Sequence, residues 1–229
     1  MARPRTTGPG AIAPDGSPVE MYLLIPVGDE PDLVRKAVSP GAEILELGCG
    51  AGRVTHARIE LGYRVVAVDE SPEMLAHVAG AEAVQARIED LRLGRTFDAV
   101  TLMSHLVNTP DAGRRDAFLR TCRRHVSPGG VVLIQRNDPS RSAWEPGERR
   151  STRLGSITIT ARVERRRGTI IDAVAEYSDG RTTWLQPYRS EILDDAAFGA
   201  SLDRAGLRLD RWLDRRRIWA TAVTAGPAR

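Results

Sequence analysis

The sequence contains few lysine, cysteine and aromatic residues. These shortages bear on which partners and which kinds of fold the protein can have. Lys36 is the one lysine among 229 residues, so almost all of the positive charge is arginine. Such a proportion is typical of a GC-rich genome, and acids interrupt the arginine clusters. A net charge of +3 therefore predicts a solvated surface and no nucleic-acid partner. Only 5% of the residues are aromatic, so each Trp and Tyr becomes informative.

Cysteines and long apolar runs are also scarce. Cys49 and Cys122 are too few for a disulfide framework, and we expect both to be reduced thiols. No apolar run approaches the ~20 residues of a membrane helix, and the N-terminal segment lacks the apolar core of a secretion signal. The histidines are scattered without metal-ligand spacing. We therefore expect a cytoplasmic protein with no membrane partner and no bound metal.

The most informative feature present is a glycine-rich turn between two apolar runs. A strand-like segment, 44–47, leads into glycines at positions 48, 50 and 52, and a second strand, 64–68, ends on Asp69. Glycines allow close approach of the backbone to a ligand, and a strand-end acid can accept from ribose hydroxyls. The order predicts a nucleoside-containing cofactor. The Gly-x-Gly-x-Gly spacing differs from the Gly-x-Gly-x-x-Gly of dinucleotide-binding proteins.

Four blocks of sequence carry a resemblance to a known family. They are residues 46–52, residues 68–75 around Asp69, Phe97-Asp98-Ala99-Val100, and Ser127-Pro128-Gly129-Gly130. In this order and spacing the chain resembles the class I S-adenosylmethionine-dependent methyltransferases. The resemblance implies an α/β fold, a Rossmann-like seven-stranded mostly parallel sheet with helices on both faces. It also implies S-adenosyl-L-methionine as cofactor and methyl transfer to a small molecule, which we expect to have an O or N nucleophile and to belong to specialised metabolism.

The pattern along the chain divides it into parts. Residues 1–18 are rich in Pro, Gly and Thr and predict a flexible arm. Residues 19–229 are expected to form one methyltransferase domain, in which strands alternate with helices up to a fifth strand at 131–135. Three alternating segments then predict an antiparallel meander at about 154–163, 169–177 and 182–189. The segment 151–191 would be an inserted lid over the cofactor site, followed by a helix and a closing hairpin.

The resemblance also assigns cofactor contacts. Gly48 and Gly50 would bring backbone amides to the methionine part, Glu46 would accept from its ammonium group, and Asp69 would accept from the ribose. At the adenine end the family commonly has an acid where this chain has Arg87, so Glu89 or Asp90 is left to take the amine. The expected cofactor-binding residues are Glu46, Gly48, Gly50, Asp69, Glu70, Met74, Ile88, Glu89 and Ser104.

The segment after the fourth strand is the expected reaction centre. His105 is the candidate general base, because an ordinary imidazole pKa near 6.5 suits proton removal at neutral pH. The alternative is a histidine that hydrogen-bonds a loop or the sulfur end of the cofactor. The segment lacks the Asn-Pro-Pro-Tyr signature of methyltransferases that act on nucleic-acid bases. His125 is expected at the surface. The expected substrate-binding residues are Asn108, Arg136, Asn137, Trp184 and Tyr188, although the aromatic pair could instead join the meander to the sheet.

Several alternatives stay open at this level. The same motifs suit an enzyme that uses the cofactor without transferring methyl, for instance in a cyclisation, and a non-catalytic scaffold that merely binds it. A nicotinamide-dependent dehydrogenase is disfavoured by the glycine spacing. The expected partner is a small molecule. The sequence leaves open the acceptor atom, the acceptor's identity and the oligomeric state, including a homodimer.

Overall fold

The computed structural model describes residues 5–226, which contain six α-helices and eleven β-strands. The helices are α1 (Val19–Leu24), α2 (Glu30–Ala37), α3 (Arg53–Glu60), α4 (Pro72–Leu75), α5 (Ala112–His125) and α6 (Asp195–Arg204). The strands are β1 (Glu43–Leu47), β2 (Arg64–Asp69), β3 (Glu82–Gln85), β4 (Phe97–Leu102), β5 (Val126–Gln135), β6 (Arg149–Leu154), β7 (Ile157–Arg167), β8 (Ile170–Ser178), β9 (Thr183–Glu191), β10 (Leu207–Trp212) and β11 (Trp219–Thr224).

Seven strands form the main sheet, in the order β10-β11-β5-β4-β1-β2-β3. The pairs from β5 to β3 are parallel, and β11 is antiparallel to both β5 and β10. Strand order reverses beside β1, where β4 lies on one side and β2 on the other. A ligand crevice is expected at the carboxyl ends of the strands at this point. The predicted fold class and closing hairpin are confirmed.

The core explains why helices cover both faces of this sheet. Successive strand residues point to opposite faces, so Leu45 packs in one buried cluster and Ile44 in the other. The first cluster is covered by α5 and α6 through Phe118 and Phe198. The second is covered by α2 and α3, for instance through Leu33. Both faces are apolar because both are buried, as in a doubly wound fold.

Two boundaries differ from the prediction. Strand β5 begins at Val126 rather than after the Pro-Gly-Gly break, because Phe97 pairs with Val126 and Ala99 pairs with Val131, leaving residues 127–130 as a bulge. His125 at the end of α5 is buried rather than on the surface. Its Nε2 accepts a hydrogen bond from the backbone N–H of Leu93 at 3.2 Å, which fixes α5 to the loop before β4.

The predicted meander is a separate antiparallel sheet of four strands, β6-β7-β8-β9, which we call the lid sheet. Three strands were expected. The segment predicted to start at residue 154 is β7, and β6 precedes it, joined by a turn at Gly155 with φ of +57°. Strand β6 carries exposed arginines and no apolar alternation, so its sequence gave no signal.

The N-terminal arm is placed against the lid sheet rather than free of the fold. Thr7 and Leu185 exchange two backbone hydrogen bonds of 3.0 Å, so the arm extends the edge of β9. The indole N–H of Trp184 donates to the carbonyl of Pro9 at 3.1 Å. A Cβ atom on Gly8 would lie 2.3 Å from this indole ring, so only glycine fits there. Residues 1–4 of the predicted flexible arm lie outside the described residues.

Candidate functional site

The glycine turn after β1 needs all three of its glycines. Gly48, Gly50 and Gly52 have φ values of +72°, +56° and +82°, a region that strains other residues. A Cβ on Gly48 would also lie 2.6 Å from a methyl carbon of Leu106. The predicted use of the amides needs correction. The N–H of Gly48 donates to the carbonyl of Val68 at 2.8 Å, and that of Gly50 donates to Asp69 Oδ2 at 2.9 Å, so both serve the fold.

Glu46 lies at the floor of this turn in a buried ionic network. Its Oε2 accepts from the Thr55 hydroxyl at 2.7 Å and lies 3.0 Å from Nη1 of Arg58, a fully buried guanidinium on α3. Both contacts use Oε2, and no hydrogen bond to Oε1 forms within residues 5–226. Glu46 lines a small cavity of about 100 Å³ beside the turn. The carboxylate is therefore fixed from below by one oxygen and has its second oxygen available.

Asp69 ends β2 with its carboxylate held by backbone amides. Oδ1 accepts from the N–H of Ser71 and Oδ2 from that of Gly50, both at 2.9 Å. Burial raises the pKa of this carboxyl group, against the lowering effect of the two hydrogen bonds. Ser71 caps α4 by accepting from the N–H of Met74 at 3.2 Å, as predicted. Met74 is buried and packs with Ala51 next to the turn.

The crevice beyond β3 contains a carboxylate that fits the unusual adenine end. Glu89 Oε1 contacts the guanidinium groups of Arg87 and Arg114, while Oε2 is buried with no hydrogen-bond partner among the described residues. Burial opposes ionisation, but its backbone hydrogen bond and the two arginines hold the pKa of Glu89 below its usual range. Asp90, the alternative considered above, is 72% exposed at its side chain. Of the two acids, Glu89 is the one aimed inward.

The segment after β4 is strained at two successive residues. Ser104 and His105 have φ values of +53° and +60°, and only one other non-glycine residue of the described chain has positive φ. Each such residue costs about 1–3 kcal/mol, and such strain clusters at functional sites. The N–H of Ser104 donates to the Gln135 side chain at 2.9 Å, and the carbonyl of His105 accepts from Asn108 at 2.8 Å.

His105 is less basic than an ordinary histidine. Burial, and then the positive charge of Arg141, lower its pKa to about 4. The residue is only partly buried as a whole, but its Nδ1 is covered and has no hydrogen-bond partner in the described chain. The imidazole is therefore neutral at neutral pH. The expectation of a group titrating near 6.5 is wrong for this structure.

One cavity of about 940 Å³ lies between the carboxyl edge of the main sheet, the lid sheet and the N-terminal arm. It brings together most of the expected site residues: Gly48, Asp69, Glu70, Ile88, Glu89, His105, Asn108, Asn137 and Tyr188. The small cavity adjoining it is lined by Glu46, Gly50, Met74 and Ser104, and it shares Gly48 and Asp69 with the large one. Residues far apart in sequence thus line one crevice at the point where strand order reverses.

Two expected substrate residues are not part of this cavity wall. Arg136 is fully buried and its guanidinium contacts Asp195, the carbonyl of Leu193 and the face of Trp212, so it joins β5 to α6 and β10. Trp184 is buried under the arm at Gly8 and Pro9. The substrate assignment is therefore wrong for Arg136, and Trp184 follows the alternative reading, as a packing residue.

Asn108 and Asn137 line the cavity, but they also fasten the lid sheet to the main sheet. Asn108 Nδ2 donates to the carbonyl of Glu191 at 2.6 Å, and its Oδ1 accepts from the N–H of Asn137 at 2.7 Å. The Asn137 amide donates to the Ser190 hydroxyl at 2.6 Å, and its Oδ1 accepts from Arg141 at 3.1 Å. These buried amides orient β9 and Arg141.

Several cavity residues were missed from the sequence. Arg141 follows an Asp-Pro-Ser turn at the carboxyl end of β5, a position that could have pointed to it. Tyr177 faces the cavity from β8 and pairs with Trp184 on β9. This position becomes visible only from the pairing register of the two strands. Asp15 and Tyr22 come from the arm and α1, where no sequence motif marks them as cavity residues.

Comparison with known proteins agrees with this arrangement. Residues 44–130 match the family described as "Methyltransferase domain". The chain is 32% identical over 159 residues to the cypemycin N-terminal methyltransferase of a Streptomyces species, covering 57% of this chain and 65% of that protein. It is 34% identical over 131 residues to the ubiquinone biosynthesis O-methyltransferase of Xanthomonas campestris, covering 52% of this chain and 53% of that protein. The match thus spans about half to two thirds of each relative's length.

Among solved structures, the CcbJ methyltransferase of Streptomyces caelestis superimposes with a TM-score of 0.74 over 91% of this chain and 96% of that one, at 21% identity. The seven-stranded sheet and the glycine turn are therefore consistent with both the matched segment and the structural similarity. Residues 44–130 therefore match a methyltransferase domain, and the chain has the fold of the class I S-adenosylmethionine-dependent methyltransferases. The matched segment of this methyltransferase domain runs from β1 to the bulge in β5 and includes the glycine turn, Asp69, Glu89 and His105.

Three further features concern membrane helices, metal sites and cysteines. No helix in residues 5–226 is long and apolar enough to cross a membrane. Within the same range, no group of three or more His, Cys, Asp or Glu side chains is placed to hold a metal ion. Cys49 and Cys122 are both buried and free, and burial raises the pKa of the Cys122 thiol to about 12.

Proposed function

We propose that this protein transfers a methyl group from S-adenosyl-L-methionine to an oxygen or nitrogen atom of a small-molecule acceptor. The observation that carries the proposal is the single cavity of about 940 Å³, which extends from Gly48 and Asp69 to His105 and on to Tyr188 of the lid sheet. Ligand pockets commonly have volumes of about 300–1,000 Å³. The cavity therefore offers room for an acceptor beside the cofactor crevice.

The residues of the crevice suit the cofactor chemically. Glu46 Oε1 is an available acceptor for an ammonium group, and Asp69 keeps lone pairs free for ribose hydroxyls after accepting two amides. Glu89 Oε2 is a buried acceptor without a partner in the described chain, which suits the exocyclic amine of adenine. Met74, Ile88, Glu70 and Ser104 would complete the cradle. When bound, S-adenosylmethionine supplies an electrophilic methyl group on a sulfonium.

The chain's own contribution to the reaction is positioning and closure to water. Holding reactants in line can supply roughly 7–11 kcal/mol of barrier reduction. The lid sheet and the arm cover the crevice, and Asn108 and Asn137 fix the lid to the main sheet. Tyr188 reaches the cavity from β9, where burial raises the pKa of its hydroxyl, so this hydroxyl stays neutral and can donate a hydrogen bond.

His105 is proposed as the residue that orients the nucleophilic atom of the acceptor. Its covered Nδ1 lacks a partner in the described chain, and the neutral imidazole can accept a hydrogen bond from a hydroxyl or amine nucleophile. With a pKa of about 4 it is a weak base, so it orients the nucleophile more than it drives ionisation. A hydroxyl or neutral amine that is already reactive toward a sulfonium needs only to be oriented by this hydrogen bond.

The wider setting is part of the same proposal. The relatives are named as a cypemycin N-terminal methyltransferase and a ubiquinone biosynthesis O-methyltransferase, and the second name supports a biosynthetic role. We expect the protein to act in the cytoplasm as one domain, residues 19–229, with residues 151–191 as its lid. The expected partner is the small-molecule acceptor, and a homodimer is the oligomeric state to check by light scattering.

Binding and product analysis test the proposal in two steps. Isothermal titration with S-adenosylmethionine and with NAD should show binding of the first alone. Incubation of the protein with methyl-labelled cofactor and a panel of amines, phenols and carboxylate-bearing versions of both should place label in an acceptor, with S-adenosylhomocysteine formed in equal amount. Cofactor consumption without labelled acceptor would favour the non-methylating alternative. Absence of binding would favour a scaffold.

The role of His105 is tested separately. His105→Ala should lower turnover by about 10²-fold, because the nucleophile loses the contact that positions it, while cofactor affinity stays within twofold. His77, exposed on the loop after α4, provides the control variant His77→Ala, for which turnover should be unchanged. Unaltered turnover in His105→Ala would remove the assignment.

A further inference from the structure

The large cavity contains four arginines, and one of them differs from the others. Arg87 and Arg114 contact Glu89, and Arg189 contacts Asp172 at 3.1 Å. Arg141 lines the same cavity, yet within residues 5–226 no carboxylate lies within 4.0 Å of its guanidinium. The other three charges are balanced by the protein itself, and that of Arg141 is not.

Arg141 is held in place by neutral groups. One Nη1–H donates to Asn137 Oδ1 at 3.1 Å, and the guanidinium lies over the indole ring of Trp144 at 5.0 Å. Asn137 is itself fixed by its hydrogen bond to Ser190. These contacts orient the guanidinium plane and leave most of its five N–H donors free. A preorganised guanidinium with free donors matches carboxylate or phosphate oxygens in bidentate geometry.

The surroundings of Arg141 place it on the acceptor side of the cavity. Arg141 lines the same cavity as His105 and Tyr188, and its positive charge acts to lower the pKa of both side chains. The acids Asp69, Glu70 and Glu89 lie instead at the ends of β2 and β3, where the cofactor crevice is. The other acids of the cavity, Asp15 and Asp111, accept hydrogen bonds from the backbone N–H groups of Ser17 and Arg114, and neither forms an ion pair with Arg141 among the described residues.

We propose that the acceptor carries an anionic group, a carboxylate or a phosphate, which Arg141 binds so that the nucleophile is placed at His105. Arg141 is then the residue that selects the substrate by charge. The identification of the bound anion as the methyl acceptor rests on the proposed function. The anion site itself is argued from the geometry of Arg141 alone. It narrows the substrate class from small molecules in general to anionic ones.

Direct binding of small anions tests the site without any turnover. Benzoate, phenyl phosphate and the neutral isostere benzamide are titrated into the protein at constant ionic strength and pH 7.5, with NMR detection of the arginine Nε–H and histidine Cε1–H signals. Benzoate or phenyl phosphate should shift the signals of Arg141 and His105 and bind at least tenfold more tightly than benzamide. The tighter of the two anions distinguishes a carboxylate from a phosphate.

Matched variants assign the effect to one side chain. Arg150 lies over the same indole ring, at 4.8 Å, but does not line the cavity, so Arg150→Gln is the control for Arg141→Gln. Arg141→Gln should weaken the preferred anion at least tenfold, and Arg150→Gln should leave it within twofold. Arg141→Lys keeps the charge and should retain part of the affinity, which separates lost charge from lost folding.

The outcomes are distinct from those that test the proposed function. Equal binding of benzoate, phenyl phosphate and benzamide to the wild type would overturn the anion site, as would a loss in Arg150→Gln equal to that in Arg141→Gln. Neither result bears on whether labelled methyl reaches an acceptor. Conversely, anion binding at Arg141 in a protein that transfers no methyl would retain the site and reject the activity.

Discussion

At the scale of single residues, the crevice is defined by polar atoms that the protein leaves without partners. Glu89 Oε2 and His105 Nδ1 are buried and lack a hydrogen bond from the described chain. Buried polar groups are rarely unpaired in folded proteins, because each such group costs about 1–3 kcal/mol. Both residues line the large cavity, which is the residue-level sign of a polar ligand.

Glu89 gives the sharpest test of the adenine end. Glu89→Gln should weaken binding of S-adenosylmethionine and S-adenosylhomocysteine by about tenfold, since it replaces a charged acceptor worth about 1.5–3 kcal/mol by a neutral one. Isothermal titration measures the affinities. Asp90→Asn, at the exposed neighbouring acid, is the control and should bind both ligands as the wild type does. Equal losses in both variants would indicate a general charge effect instead.

At the scale of elements, α3 is joined to β1 and β4 by the buried pair of Arg58 and Glu46. Arg58 Nη1 lies 3.0 Å from Glu46 Oε2 and donates to the Thr101 hydroxyl at 3.2 Å. Sequence patterns do not predict this pair, because an arginine on a helix is ordinarily an exposed residue. Tertiary packing alone places it beneath the glycine turn, where it holds the floor of the small cavity.

Removing one partner of this pair should be costly. Arg58→Met leaves the Glu46 carboxylate buried without its cation, and such a change destabilises by about 3–5 kcal/mol. Urea unfolding measures the free energy. The double variant Arg58→Met with Glu46→Gln should recover more than half of this loss, because no buried charge remains. Simple additivity of the two single variants would contradict a coupled pair.

The N-terminal arm is the element whose placement differs most from the sequence-based expectation. Gly8 sits against the Trp184 indole, and the Leu185 amide donates to Thr7. Gly8→Ala should therefore undock the arm and accelerate hydrogen exchange of the Leu185 amide at least tenfold. Gly180→Ala is a matched control, since Gly180 also has positive φ, +88°, but no atom of the described chain lies within 4 Å of its added Cβ. Unchanged exchange in Gly8→Ala would show that the arm does not protect β9.

At the scale of the whole molecule, buried neutral histidines make stability depend on pH. His105 has a pKa of about 4 when folded and near 6.5 when unfolded, and burial also lowers the pKa of His125. Between these pH values the unfolded chain binds a proton that the folded protein does not. The free energy of unfolding therefore falls as pH falls from 6.5 toward 4.

The contribution of His105 to this fall is at most about 3 kcal/mol. Urea unfolding at pH 7.5, 6, 5 and 4.5 should show the loss in the wild type and a flatter profile in His105→Asn. The exposed His77→Asn variant should keep the steep profile. A profile in His105→Asn as steep as that of the wild type would mean that the imidazole is ordinary.

Local signals predicted much of the main sheet. The apolar runs of β1, β2 and β4 have no polar alternation because they are buried on both faces, and the spacing Gly48-x-Gly50-x-Gly52 reflects three positive φ values. Strand β6 was missed because its arginine-rich sequence shows neither a continuous apolar run nor an alternation of apolar and polar residues. His125 was misplaced because no property of a single residue reveals burial at a helix end.

The sequence by itself determined the order of the elements, the glycine turn and the acid at the end of β2, because each depends on backbone conformation and on neighbours within a few residues. Only the tertiary structure decided which side chains reach the cavity. Arg136 and Trp184 lie outside the cavity wall, whereas Arg141 is part of it. Of the two neighbouring acids, Glu89 faces the cavity and Asp90 is exposed. Those outcomes depend on the register of β9 and on contacts between different elements of the fold, which single-sequence periodicity does not encode.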